Sequence, residues 1–216
     1  HQDPDDYADL MFSDPNIGST CELVYQIIDR LNKRGLINKE VATCIYTGIL
    51  TDTGSFRFPS VTANTHKATA TLIEHGANHS LIHEQIKDNA RPDRLKLLGI
   101  ALRNMVFLDD VNTAYITLNQ DELDECNFQK GDAEGFVNYG LSVTGVQIAV
   151  LMIEYRHEGV VKFSFRSKGD LAVNTFAKTY FDGGGHINAA GGISKDPLAK
   201  TEAYFIKSLR AFFGKY

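Results

Sequence analysis

Apolar residues in the first half of the chain recur at helical spacing. The segment from Ser19 to Gly35 carries Leu23, Val24, Ile27, Ile28 and Leu31 as one stripe, with Ser19 and Glu22 spaced as a capping box and Gly35 as its stop. Asn38 caps a second predicted helix carrying Val41, Ile45, Ile49 and Leu50, which runs into the turn Thr51-Asp52-Thr53-Gly54-Ser55. A third helix is expected over Thr65–His75, a fourth from Asn78 through Ile86, and a fifth over Arg94–Met105 with Leu95, Leu98, Leu102 and Met105 on one face. From Val106 the period changes. Ala114–Leu118, Val146–Tyr155 and Val160–Arg166 are rich in Val, Ile, Phe and Tyr, the last with clear alternation, and read as strands. Helices fit Ala133–Leu141 and Leu171–Phe181, Asn119 and Glu122 form another capping box, and Pro197 opens a terminal helix through Phe213. The switch of period sets a boundary at the turn Asp109-Asp110-Val111-Asn112. It divides the chain into a mostly helical part, 1–108, and an α/β part, 109–216.

Composition narrows the class. With 43% hydrophobic and 23% charged residues among 216, the chain is globular, and disordered, collagenous and coiled-coil classes fall away. The longest apolar run, Ile148–Ile153, is far short of the roughly 18 residues that cross a bilayer, and acids occupy the first twenty residues where a secretory signal would be apolar. No membrane association and a cytoplasmic location are therefore expected. Cys21, Cys44 and Cys126 are odd in number and form no C-x-x-C pair, which reads as three reduced core residues. The net charge of −5 weighs against bulk duplex binding, yet Gly145–Lys200 holds seven Lys and Arg against five Asp and Glu, an excess suited to a short anionic ligand.

Three places carry candidate chemistry. In Gly48–Phe56 one carboxylate, Asp52, stands at a helix end among hydroxyls; it suits a hard divalent cation, although by itself it reads more readily as a turn-stabilising Asp. Gly183, Gly184 and Gly185 let backbone N–H groups converge on an anion, with a following helix start adding its positive end and His186 a side-chain donor. Arg166, ending an alternating strand beside Ser167, offers a planar fork matched to phosphate oxygens, the alternative being an exposed surface Arg.

Together these segments resemble the DHH phosphoesterase family with its associated C-terminal domain. Thr47–Phe58, TGILTDTGSFRF, is similar to that family's fourth metal motif, and Arg166-Ser167 with Gly183-Gly184-Gly185-His186 is similar to the signature of the associated domain. His1–Asp9 resembles the end of the Asp-His-His motif and the residues just beyond it, with His1 as the motif's last histidine. Ser19–Ile28 and Glu134–Tyr139 extend the likeness towards the branch of nanoRNases, which degrade short oligoribonucleotides and in some members dephosphorylate pAp. The resemblance implies a mostly helical remnant of a parallel-sheet DHH domain followed by a smaller α/β domain with a mixed sheet. It further implies a two-metal hydrolase using Mn²⁺, or Mg²⁺, with Asp52 a metal ligand and His1 a catalytic contact to the reacting phosphate. Arg166, Ser167, Gly183, Gly184, Gly185 and His186 would bind the substrate, a short single-stranded RNA or small nucleotide, with a homodimer left open. The earlier aspartate motifs have no counterpart here, so the activity is expected of a longer parent and this stretch is expected to be inert by itself. Two alternatives stand beside this: hydrolysis of a linear or cyclic dinucleotide, and a non-catalytic nucleic-acid-binding module of the kind that accompanies certain tRNA synthetases. The TGILTDTGSF segment speaks against the module, because a binding appendage needs no metal motif.

Overall fold

The computed structural model describes residues 9–14 and 17–214. The backbone divides into two compact units, the first ending at Asn89 and the second beginning at Ala90.

The first unit holds helices α1 (Thr20–Arg30), α2 (Lys39–Asp52), α3 (Ala63–Glu74) and α4 (His79–Lys87). Each starts on a side-chain cap that accepts from the first turn: Ser19, Asn38, Thr62 and Asn78. Tyr25, Ala42, Ile45, Tyr46, Ile49, Leu50, Ala68 and Leu72 close into one core. Helix α1 departs from expectation in three ways. It stops at Arg30, because Asn32 takes the left-handed conformation (φ 53°) expected of Gly35. Its buried residues are Glu22 and Tyr25, while Val24 and Leu31 of the apolar stripe are exposed. Glu22 does not close a capping box either: Thr65 Oγ1 donates to one of its oxygens (2.8 Å) and Gln26 Nε2 to the other (3.1 Å). A buried carboxylate persists only with such donors.

The second unit contains α5 (Pro92–Arg103), β1 (Val106–Leu108), β2 (Thr113–Leu118), α6 (Gln120–Glu125), α7 (Phe136–Leu141), β3 (Ile148–Tyr155), β4 (Val160–Ser167), α8 (Val173–Tyr180), β5 (Gly184–His186), β6 (Ala189–Ser194) and α9 (Leu198–Phe213). The strands form a mixed sheet in the order β1-β2-β3-β4-β6-β5, in which β2 and β3 are parallel and every other pair is antiparallel. A core lies on each face. Phe163, Phe165 and Met152 pack against Phe176, Phe181 and Phe205 on one side. Ile116, Leu118, Ala149 and Leu151 pack against Leu97, Ala101, Leu123 and Phe136 on the other. Here too the buried face of a helix shifts, since α5 buries Leu97 and Ala101 while Leu95 and Leu102 face solvent. Helix α7 is shorter than expected because Gly135 precedes it at φ 82°. Of the cysteines only Cys126 is a core residue; all three are free, and Cys44 is exposed.

The strand patterns reflect this layering. β3 is covered on both faces, so its run Ile148–Ile153 is wholly apolar and buried, whereas β4 alternates half-buried and buried residues because only one of its faces is covered. The uncovered face presents Lys162, Ser164 and Arg166.

Candidate functional site

The register of the last three strands decides where the candidate residues stand. Arg166 on β4 is paired with Ala189 on β6, and Ala189 with His186 on β5. Directly paired residues project to the same face, so Arg166 and His186 share the open face with only the methyl group of Ala189 between them. Two strand spacings put their Cα atoms roughly 10 Å apart. The next row along the sheet is Ser164, Gly191 and Gly184, a floor almost free of side chains.

Arg166 is half-buried, and its Nη1 donates to the carbonyl of Phe165 (2.8 Å). Burial pulls its pKa below the ordinary value, and no carboxylate among the described residues offsets it. A desolvated guanidinium without an acid partner suits an incoming anion. Gly140 of α7 lies so close to the sheet that an added Cβ would stand 3.0 Å from that of Ala149, the neighbour of Arg166 in the same row. Ser167 points elsewhere. It is buried, its hydroxyl donates to the carbonyl of Leu171 (2.6 Å), and it accepts from Asn188 Nδ2 (2.9 Å).

The glycine run does not form the loop-and-helix cradle expected from sequence. Gly184 and Gly185 begin the edge strand β5, which turns through Ile187-Asn188 into the strand β6 rather than into a helix. The reason is close packing of backbones: a Cβ on Gly183 would collide with the carbonyl of Gly191, and Gly185 sits at φ 142°. Asn188 had no signal in the sequence beyond its place at a tight turn.

In the first unit, Asp52 is the last residue of α2 and its carboxylate is exposed. The buried hydroxyl of Ser19 donates to Oδ2 (2.7 Å) while accepting from the N–H of Cys21 (3.1 Å), so the cap of α1 also orients the carboxylate. The turn after it is unusual, with Gly54, Ser55 and Phe56 all at positive φ (57°, 61°, 63°). It is held by the buried Thr53, whose Oγ1 donates to the carbonyl of Ile49 (2.6 Å) and accepts from the N–H of Phe56 (3.1 Å). Strain of this kind gathers at functional sites. Asp52 fits one ligand position for a hard cation, but no group of three His, Cys, Asp or Glu that could hold a metal occurs among the described residues. These residues alone therefore do not make a metal site. His1 lies outside the described residues.

The DHHA1 domain family matches residues 110–215. The chain is 30% identical over 192 residues to the bifunctional oligoribonuclease and PAP phosphatase NrnA of Bacillus subtilis, covering 88% of this chain and 59% of that protein. It is likewise 30% identical over 198 residues to the Thermus thermophilus protein of the same name, covering 92% and 57%. The chain thus spans about three-fifths of the length of these relatives. A crystal structure of an exopolyphosphatase-related protein from Bacteroides fragilis superposes with a TM-score of 0.94 at 34% identity, over all of this chain and 64% of that one. Residues 110–215 are therefore a DHHA1 domain, and the chain as a whole is similar to these oligoribonuclease and PAP phosphatase relatives.

Proposed function

We propose that the protein is a metal-dependent phosphoesterase that hydrolyses short oligoribonucleotides and the nucleotide pAp, with the open face of the second unit holding the phosphate-bearing end of the substrate. The observation that carries this reading is the single row Arg166, Ala189, His186, in which a half-buried guanidinium with no acid partner among the described residues and an exposed imidazole face one space. The guanidinium fork binds phosphate oxygens in a planar, bidentate fashion, and the imidazole adds a second donor. The bare floor of Gly191 and Gly184 leaves room for a flat base or sugar beside the anion. Asp52, with one oxygen fixed by Ser19, is a carboxylate ligand for a divalent ion, with Mn²⁺ preferred to Mg²⁺ on the resemblance to the DHH phosphoesterases. The relatives named for oligoribonuclease and PAP phosphatase activity support this choice of substrate over a cyclic dinucleotide.

The test is incubation of the whole protein that carries this chain with a labelled RNA trinucleotide and with pAp, in Mn²⁺, Mg²⁺ or EDTA. Release of mononucleotides and of phosphate with Mn²⁺, abolished by EDTA, is the expected result. Equal turnover in EDTA refutes metal dependence, and cleavage of a cyclic dinucleotide with no action on the trinucleotide refutes the substrate assignment.

A further inference from the structure

We infer that Asn188 is a positioning residue that sets the distance between Arg166 and His186; the inference rests on the reading of those two residues as an anion clamp. The clamp spans two strands that are joined directly only through β6, and its outer arm is built on glycine. Glycine gives β5 no side chain to pack, and the strand is three residues long at the edge of the sheet. Such a strand wanders unless something else holds it.

The ladder to β6 and the donation of Asn174 Nδ2 to the Gly185 carbonyl (3.4 Å) hold the strand itself, and the carboxamide of Asn188 ties the turn after it to the end of β4. Its Nδ2 donates to Ser167 Oγ (2.9 Å) and to the carbonyl of Gly169 (2.8 Å), and the backbone carbonyl of Asn188 accepts from the N–H of Ser167 (3.2 Å). Ser167 is next after Arg166 in the chain, and Asn188 stands two residues after His186. The two arms are therefore tied together at their bases by two hydrogen bonds between one pair of residues. Ser167 is anchored in turn by its donation to Leu171, and the turn is tied again where the N–H of Val173, the first residue of α8, donates to the carbonyl of Ile187 (2.9 Å). Asn188 itself is exposed, so a truncated side chain leaves the Gly169 carbonyl to water. Its hydrogen bonds thus bear on where β5 sits more than on whether the domain folds.

The experiment uses this chain and a 5′-phosphorylated diadenylate with a fluorophore at its 3′ end, monitored by fluorescence anisotropy over a range of salt. Arg166→Ala should weaken binding roughly 10- to 100-fold and lower the salt slope by about 0.7, one phosphate contact on a single strand. Asn188→Ala should weaken binding roughly tenfold with the salt slope unchanged, because the Arg166 guanidinium remains. In proton NMR the His186 C2–H resonance, assigned with His186→Gln, should move in ligand-free Asn188→Ala and respond less to the dinucleotide. If Arg166→Ala and His186→Ala weaken binding but folded Asn188→Ala binds as the wild type does, the positioning role is overturned and the clamp stands. If Arg166→Ala and His186→Ala bind normally, the clamp itself is wrong. Should Asn188→Ala not fold, Asn188→Ser decides: its single short hydroxyl should give intermediate affinity, and wild-type affinity overturns the role.

Discussion

Asp52 stands at the end of α2 where the helix carries partial negative charge, and no basic residue lies in that last turn. A carboxylate is electrostatically misplaced there unless a cation joins it. Ser19 relieves part of the conflict by donating to Oδ2, but this neutral donor brings no positive charge. Asp52→Asn keeps the acceptor for Ser19 and removes the charge, so it should stabilise the metal-free chain by about 0.3–1 kcal/mol. Thermal melting in EDTA should show the gain, while turnover of the whole protein with Mn²⁺ should fall by orders of magnitude. A lower melting temperature for the variant would mean that the carboxylate is there for stability. The carboxylate is visible in the sequence as one acid among hydroxyls at a helix end. The contribution of Ser19 is not, because it depends on a contact across 33 residues that no local spacing encodes.

Strand β6 carries the two kinds of glycine that the element needs, side by side and on opposite faces. Gly192 points into the core, where an added Cβ would lie 2.8 Å from that of Phe181, so Gly192→Ala should destabilise by about 1–3 kcal/mol, read by urea unfolding. Gly191 points to the open face, and its added Cβ would meet nothing nearer than the Phe163 carbonyl at 3.6 Å. Gly191→Val should therefore fold as well as the wild type yet lose affinity for the dinucleotide, which anisotropy would measure. Across the sheet, Tyr115 of β2 donates to Glu202 of α9 (2.8 Å), and burial, then this hydrogen bond, pushes its phenol up to about 12. The folded state keeps a proton that the unfolded chain releases near pH 10, so this contribution is intact below pH 10 and fades as the pH climbs towards 12. Tyr115→Phe should flatten that decline in melts from pH 9 to 12. Alternation in Val160–Arg166 discloses a strand covered on one side, and caps at Asn38, Asn78 and Asn119 fix helix starts. The buried faces of α1 and α5 are not legible in the same way, because both helices carry more apolar residues than they bury. The glycine strand is hidden for another reason: a run without side chains has no period to detect.

At the scale of the whole molecule, the two units have separate cores, and the boundary between them falls twenty residues before the start of the DHHA1 match. The intervening α5 supplies Leu97 and Ala101, both fully buried, to the core beneath Ile116 and Leu118. A polypeptide of residues 90–216 should accordingly unfold in one cooperative transition by calorimetry. One of residues 110–216 should be less stable by at least about 2–5 kcal/mol, the range for removing a buried leucine, and should bind hydrophobic dye. Strand β5 has a consequence for how these molecules meet one another. An open sheet ends in unpaired backbone groups that invite a strand from a neighbour, and natural sheets blunt such ends. Here the end is three residues long and two of them are glycine, which forfeits strand propensity and offers a visiting strand little to grip. The same residues that leave room for a ligand thus disfavour strand addition at this edge, and replacing Gly184 and Gly185 with valine should bring on concentration-dependent aggregation, seen by light scattering.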